Sequence, residues 1–274
     1  MKLFKSFVFF LLFALFLSAC GTSTTGSKNA EEILEKSVQA MSEVKSYSME
    51  MKTKQLKKIP GVEEDLNIDL NMTADIITEP LQLYMVQNIQ SPELGTEEMI
   101  TTESYFTSDG FYMKDSMTNQ WFKYKDEIAQ SFIEMQKQQM NFEEQLNLMK
   151  RFTKNISVKE DNKHYILNLE ADGKALKEIV LEVMNLVGDL DNETGMFKEI
   201  FNDMDIHTFT YKIYIDKETF YQTKIDMETN IDVNIDGETM SIKQSMEGTI
   251  DNFNDVKEIK IPQEAIDNAE EVSF

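Results

Sequence analysis

Apolar and polar residues follow two different periods along this chain. From Ile33 to Val44 the apolar residues recur every three or four positions, which predicts an amphipathic helix with Asn29 as its N-cap. After Ser46 the period changes to two, and apolar side chains alternate with polar ones in many of the later segments. Such alternation predicts β-strands with one buried face and one face in contact with water.

The alternating segments predict about eleven strands in long antiparallel meanders. Tight turns separate several of them, and the dipeptides Asp109-Gly110 and Asp236-Gly237 are typical of hairpins. A sheet of that length curls instead of staying flat, so we expect its apolar face to be concave. The predicted strands begin near Tyr47, Leu66, Leu81, Met99, Phe111, Trp121, Ile156, Tyr165, Ile206, Tyr221 and Thr239.

Two helical segments interrupt the predicted strands. Residues 126–152 and 175–190 carry apolar side chains at helical spacing, whereas only a polar tail is predicted after Pro262. We expect the inserted helices to cover the concave face, because its Met, Phe, Ile and Tyr side chains have to be shielded from water. The predicted fold is α+β: a curved antiparallel sheet, or incomplete β-barrel, with an N-terminal helix and inserted helices over the concave face.

The N-terminus has the pattern of a secretion signal. Basic Lys2 and Lys5 precede an unbroken apolar run at 7–17, which is shorter than the ~20 residues that a membrane-spanning helix needs. The run ends in Leu17-Ser18-Ala19-Cys20, which resembles the lipobox of bacterial lipoproteins. That resemblance implies cleavage between Ala19 and Cys20 and a diacylglyceryl group, with acyl chains such as palmitate, on Cys20. The alternative is an ordinary secretion signal that contains a cysteine.

These features predict the organisation and the location of the chain. We expect a signal peptide at 1–19, a lipidated cysteine and flexible tether at 20–28, and a single domain at 29–274. The protein is predicted to lie on the extracytoplasmic face of the cell membrane, held there by its lipid. Richness in Lys, Asn, Ile and Glu suits an AT-rich Gram-positive genome.

Composition and motifs exclude several classes of function. The net charge of −22 disfavours nucleic acid as a partner, and the single cysteine leaves none for a disulfide or a Cys-rich metal site. Only two histidines are present, and no G-x-S-x-G motif occurs. Residues 232–237 match the first half of an EF-hand loop, but Lys243 stands where the bidentate glutamate belongs, so we interpret them as strand and turn. Weak calcium binding by clustered acids is left open.

Several short motifs occur in a fixed order along the chain. They are Ala30-Glu31-Glu32-Ile33-Leu34, Val44-Lys45-Ser46-Tyr47, Gly110-Phe111-Tyr112-Met113-Lys114, Gln120-Trp121-Phe122-Lys123-Tyr124, Tyr214-Ile215-Asp216-Lys217-Glu218-Thr219 and Ile259-Lys260-Ile261-Pro262. Their order resembles that of the LolA, LolB and LppX-type bacterial lipoprotein superfamily, and most closely a set of Firmicutes lipoproteins of unassigned function. The resemblance extends over nearly the whole of residues 29–274 and implies an incomplete β-barrel lidded by helices.

The resemblance also implies a function: a groove for acyl chains, with no catalytic residue and no cofactor. Members of the superfamily with a known role carry lipids or lipidated proteins, so we expect a carrier, chaperone or sensor. The candidate groove residues are Met72, Met85, Phe106 and Met113 on the sheet, and Phe132, Met135 and Met149 on the covering helix.

Two alternatives remain open at this point. The same Met and Phe side chains would also suit a closed core, in which case the protein would be an envelope scaffold that binds another protein through its acidic surface. A hydrolase of envelope polymers would need a pocket that unites a histidine, His164 or His207, with a nucleophile.

Overall fold

A computed structural model describes residues 23–91, 99–125, 156–171, 173, 177, 204–235 and 237–272. The predicted signal peptide with Ala19 and Cys20, and most of both inserted helical segments, lie outside these residues. Within them the chain forms two helices and twelve strands. The elements are α1 (Ser23–Ser42), β1 (Ser46–Lys58), β2 (Leu66–Thr78), β3 (Leu81–Gln90), β4 (Ile100–Thr107), β5 (Gly110–Asp115), β6 (Gln120–Tyr124), β7 (Ile156–Glu160), β8 (His164–Ala171), β9 (Met204–Asp216), β10 (Gln222–Ile235), β11 (Glu238–Asp251), α2 (Gln263–Asn268) and β12 (Glu270–Val272).

All twelve strands belong to one sheet, whose order is β12-β6-β5-β4-β3-β2-β1-β11-β10-β9-β8-β7. The chain winds outward from β1 to β6, resumes at the opposite edge with β7, and winds back until β11 pairs with β1. Neighbouring strands are antiparallel, except that β12 runs parallel to β6. The sheet is not closed, because β12 and β7 form its two edges. The predicted α+β class, the open sheet and the N-terminal helix are confirmed.

The strand register assigns alternate residues to two faces. We call the face that carries Met51 and Met72, which are direct cross-strand partners, the apolar face. The face that carries their neighbours Lys52 and Asn71 is the polar face. Because partners directly opposite each other in an antiparallel pair point to the same side, this assignment extends from strand to strand.

Helix α1 packs on the apolar face near one edge of the sheet. Its residues Ile33 and Leu34 form a buried cluster with Leu167, Ile213 and Ile215 of β8 and β9. The helix begins at Ser23, earlier than the predicted N-cap Asn29. Small polar residues have weak helix propensity, but they can extend a helix that its packed part has already nucleated.

The C-terminal segment crosses the polar face near the other edge. It contains α2 and β12, so the prediction of a polar tail after Pro262 is wrong. Proline lacks an N–H, which a helix does not use at its start, so Pro262 precedes α2 without cost to its hydrogen bonds. Ala265 is fully buried against Tyr112 and Trp121. The polar face is therefore covered by protein at this point, whereas the alternation predicted that it is solvated throughout.

Candidate ligand-binding face

The apolar face carries a group of methionines that extends from β5 to β10, with most of its members on the middle strands of the sheet. Each of them occupies a strand position whose side chain points to this face, so the alternation along the paired strands brings them together. Met51 pairs with Met72, and Met227 pairs with Met246. All members of this group are half-buried. This methionine band consists of Met49, Met51, Met72, Met85, Met113, Met227 and Met246.

The four sheet residues predicted from the sequence all lie on the apolar face. The Gln87 amide nitrogen lies 4.0 Å from the sulfur of Met72, and Met85 is opposite Ala74. Phe106 differs from the methionines, because it is only 2% exposed and belongs to the closed core. The predicted helix residues Phe132, Met135 and Met149 lie outside the described residues. Ligand binding by any of these residues remains a prediction.

The apolar face is not buried evenly. Under α1, Leu167 is 2% exposed and Ile215 is 0% exposed, as in an ordinary closed core. In the middle strands the methionines of the band are half-buried instead. The alternation of the sequence therefore does not distinguish an apolar-face residue that is buried, such as Leu167, from one that is only half-buried, such as Met72.

Tyrosines on the apolar face show that their surroundings are of low polarity. Burial raises the pKa of the phenols of Tyr47, Tyr124 and Tyr211 above the ordinary value. Burial has this effect because it disfavours the charged phenolate. Tyr47 lies on β1, the strand that also carries Met49 and Met51 of the band, and Tyr211 lies on β9, next to β10. This environment suits an apolar ligand better than a charged one.

The polar face carries an aromatic cluster that the sequence prediction did not include. The Tyr84 and Tyr105 rings lie 4.6 Å apart, and Tyr105 lies 6.0 Å from Trp121. The Tyr105 hydroxyl donates a hydrogen bond to the Glu103 carboxylate at 2.7 Å. Burial, reinforced by this carboxylate, raises the pKa of Tyr105. A cavity of about 440 Å³ lies between Tyr84, Tyr105 and the C-terminal segment. The sequence signal that could have revealed this aromatic cluster is the presence of aromatic residues, on successive strands, at positions where the alternation predicts polar side chains.

A second groove on the polar face has a hydrophilic lining. Its volume is about 600 Å³, and it extends across the middle strands. Its lining contains the basic residues Lys54 and Lys243 and the acidic residues Asp69 and Glu228. Mixed charges of this kind do not favour an alkyl chain, whose transfer from water requires an apolar surface. We therefore assign the candidate ligand site to the apolar face.

The two histidines lie in separate strands, and each contacts its own aspartate. His164 Nδ1 lies 3.0 Å from the Asp161 carboxylate, and His207 Nε2 lies 2.8 Å from that of Asp232. The Ser241 hydroxyl donates a hydrogen bond to Asp232, and this bond, followed by the contact with His207, lowers the pKa of Asp232. Within the described ranges, no group of three or more His, Cys, Asp or Glu side chains is arranged to hold a metal ion.

Asp232 and its neighbours form the predicted strand and turn. Strand β10 ends at Ile235 and β11 begins at Glu238, with Gly237 at a φ of 85° between them. A positive φ of this size favours glycine. In the part of the chain that the structure describes, no helix has the length and apolar character needed to cross a membrane.

Residues 29–270 match the model of a family described as a family of unknown function (DUF6612), so the chain belongs to that family. A comparison with curated proteins found no match. Among solved structures, the lipoprotein LppX of Mycobacterium tuberculosis is 8% identical, with a TM-score of 0.41, over 84% of this chain and 97% of its own. LprF of Mycobacterium bovis is 10% identical, with a TM-score of 0.38, over 87% of this chain and 98% of its own. LppX belongs to the type of lipoprotein that the sequence motifs resemble.

Proposed function

We propose that this protein is an extracytoplasmic lipoprotein that binds a hydrophobic ligand, a lipid or an acyl chain, on the apolar face of its sheet. It acts as a carrier, chaperone or sensor and performs no covalent chemistry. The observation that carries this proposal is the methionine band, which is apolar, continuous across the middle strands and half-buried.

The choice of methionine supports a binding surface. Its unbranched thioether side chain has three rotatable bonds and is polarisable, so it can adapt to ligands of different shape. Met51, Met72, Met227 and Met246 form two cross-strand pairs on neighbouring parts of the sheet. Burial of one alkyl CH₂ group against such a surface is worth about 0.8 kcal/mol, so a long acyl chain gains enough to bind without a charged partner.

The proposed anchor is a lipid on Cys20. Helix α1 begins at Ser23, close behind Cys20 in the chain, and ends at Ser42, shortly before β1 begins at Ser46. A lipid on Cys20 would therefore hold the sheet near the bilayer, where acyl ligands are concentrated. Two acyl chains are sufficient for stable anchoring without a basic patch, in keeping with the acidic character of the chain.

Native mass spectrometry of residues 21–274 tests the binding proposal directly. This segment contains every described helix and strand and lacks Cys20, so any attached lipid is bound non-covalently. We expect a bound species in the lipid mass range after purification without detergent, its loss on solvent extraction, and its return when the extract is added back. A protein that stays free of ligand when fatty acids and phospholipids are offered would contradict the proposal and favour a closed core, with a role as an envelope scaffold.

A further inference from the structure

The floor of the cavity on the polar face is a row of cross-strand partners. Ser48 of β1 pairs with Asp75 of β2, and Tyr84 of β3 pairs with Tyr105 of β4. Asp75 and Tyr84 are also direct partners. Since residues opposite each other in antiparallel strands point to the same side, the four side chains lie in one line across the sheet. All four are half-buried and line the cavity, so a carboxylate lies beside a pair of aromatic rings.

The C-terminal segment forms a roof over this row. The Asn254 N–H donates a hydrogen bond to the Ser46 carbonyl at 2.7 Å, and the Asn254 side-chain oxygen accepts one from the Lys45 N–H at 2.7 Å. Beyond this attachment, residues 255–260 line the cavity. A purely structural contact between roof and floor would be close-packed, whereas a volume of about 440 Å³ remains between them. Small-molecule sites have volumes of about 300–1,000 Å³.

The charges around the cavity favour a cation. Lys260 Nζ lies 2.9 Å from the Glu258 carboxylate, so these two charges neutralise each other. Asp75 accepts a hydrogen bond from the Ser48 hydroxyl at 2.6 Å, and no basic side chain of the described residues lies within ion-pair distance of its carboxylate. A cation in the cavity would therefore meet a half-buried carboxylate that is not neutralised. The charged residues among the described lining are Asp75, Asp255, Glu258, Lys257 and Lys260.

The aromatic rings favour the same kind of ligand. The Tyr84 and Tyr105 rings lie 4.6 Å apart, and the negative face of an aromatic ring attracts a cation that lies within about 6 Å of its centre. The protein uses this attraction at the other end of the cluster, where Lys114 Nζ lies 5.3 Å from the centre of the Trp121 ring. Both tyrosine hydroxyls donate hydrogen bonds to the Glu103 carboxylate, which adds a further negative charge close to the rings.

We propose that this cavity binds a quaternary ammonium ion, with its cationic group between the Asp75 carboxylate and the Tyr84 ring. A quaternary group suits this place better than a primary ammonium, because it gains its binding from aromatic faces and needs no hydrogen-bond acceptor. The site lies on the polar face, so this inference does not depend on the function proposed above. A free quaternary ammonium solute and the headgroup of a choline lipid share this chemistry.

Isothermal titration calorimetry of the full-length protein, in an uncharged maltoside detergent, tests the inference. The probes are choline and its neutral isostere, in which a tert-butyl group replaces the trimethylammonium group. We expect choline to bind saturably and at least about tenfold more tightly than the isostere, since the two differ in charge and not in shape. Equal affinities, or no saturable binding of choline, would overturn the inference and leave the proposed function intact. Glycerophosphocholine identifies the source: tighter binding than choline indicates a lipid headgroup, and weaker binding indicates a free solute.

Matched variants test the two groups that would hold the cation. Asp75→Asn removes the charge, keeps the shape and should weaken choline binding at least about tenfold. Asp69→Asn makes the same change on the same strand and face, but in the other groove, and should have no effect. Tyr84→Leu should weaken binding about tenfold, whereas Tyr84→Phe keeps the ring and should bind like the wild type. Wild-type affinity in folded Asp75→Asn and Tyr84→Leu would contradict the inference, and the comparison of choline with its isostere tests it without any variant.

Discussion

Truncation of Leu34 to alanine tests whether α1 is an integral part of the fold. Leu34 is 0% exposed and packs with Leu167, Ile213 and Ile215. Leu→Ala substitutions at such sites cost about 2–5 kcal/mol of unfolding free energy, from lost transfer energy and from the cavity left behind. The better helix propensity of alanine offsets only a few tenths of a kcal/mol. For a loss of about 3 kcal/mol we expect the melting temperature to fall by about 6–12 °C.

Urea unfolding followed by two probes measures this effect. Trp121 is the only tryptophan, and it lies in β6, in a cluster separate from that of Leu34. Its fluorescence therefore reports on a part of the sheet that the substitution does not touch. Far-UV circular dichroism reports on the whole sheet. We expect both midpoints to shift equally, because the strands form one continuous sheet that unfolds cooperatively.

Two substitutions on the same helix serve as controls. Gln39 is exposed, so Gln39→Ala should leave the midpoint unchanged. The Ser37 hydroxyl is buried and has no hydrogen-bond partner among the described residues, so Ser37→Ala should not lower stability. A loss below about 1 kcal/mol for Leu34→Ala would refute the tight packing of α1. A shift seen by circular dichroism but not by Trp121 fluorescence would refute a single cooperative sheet.

Three further predictions concern the anchor, the binding face and a surface carboxylate. Cys20→Ser should abolish acyl labelling and move the protein from the membrane fraction to the medium or to an unprocessed precursor. Met72→Gln should weaken fatty-acid binding about tenfold in a fluorescence titration, because an amide on the apolar face is costly to desolvate, whereas Thr73→Gln on the polar face should have no effect. The His164 ring, with two backbone N–H groups, lowers the pKa of the Asp161 carboxyl to about 2. Any stability that Asp161 contributes is therefore present above its ordinary pKa and is lost as the pH falls towards 2. An NMR titration of the His164→Ala variant should show a higher pKa for Asp161.

The strands could be predicted because the residue alternation that indicates each strand lies within that strand's own sequence. Alternation with a period of two gives both the existence of a strand and the face of each side chain. Each of the eleven predicted strands corresponds to one of the strands β1 to β11. The same parity correctly placed Met72, Met85, Phe106 and Met113 on one face of the sheet.

The elements that were missed depend on distant partners. Strand β12 has only three residues, which is too short for alternation to be visible, and it exists because it pairs with β6 far away in the sequence. Helix α2 is held by the packing of Ala265 against Tyr112 and Trp121. The pattern of apolar and polar residues after Pro262 does not predict that contact. The same tertiary packing converts part of the polar face into an aromatic cluster. Burial along the apolar face is also decided by tertiary packing.

The positions of α1 and of the C-terminal segment explain where a ligand surface can exist. Helix α1 packs on the apolar face over β8 and β9, near one edge. The segment with α2 and β12 packs on the polar face over β5 and β6, near the other edge. Both segments stabilise the outer strands and leave the middle strands β1, β2, β10 and β11 outside these two clusters. Five of the seven methionines of the band lie on those middle strands, whereas Met85 lies on β3 and Met113 on β5. The described part of the fold therefore keeps most of its adaptable apolar surface away from the two clusters that hold the sheet together.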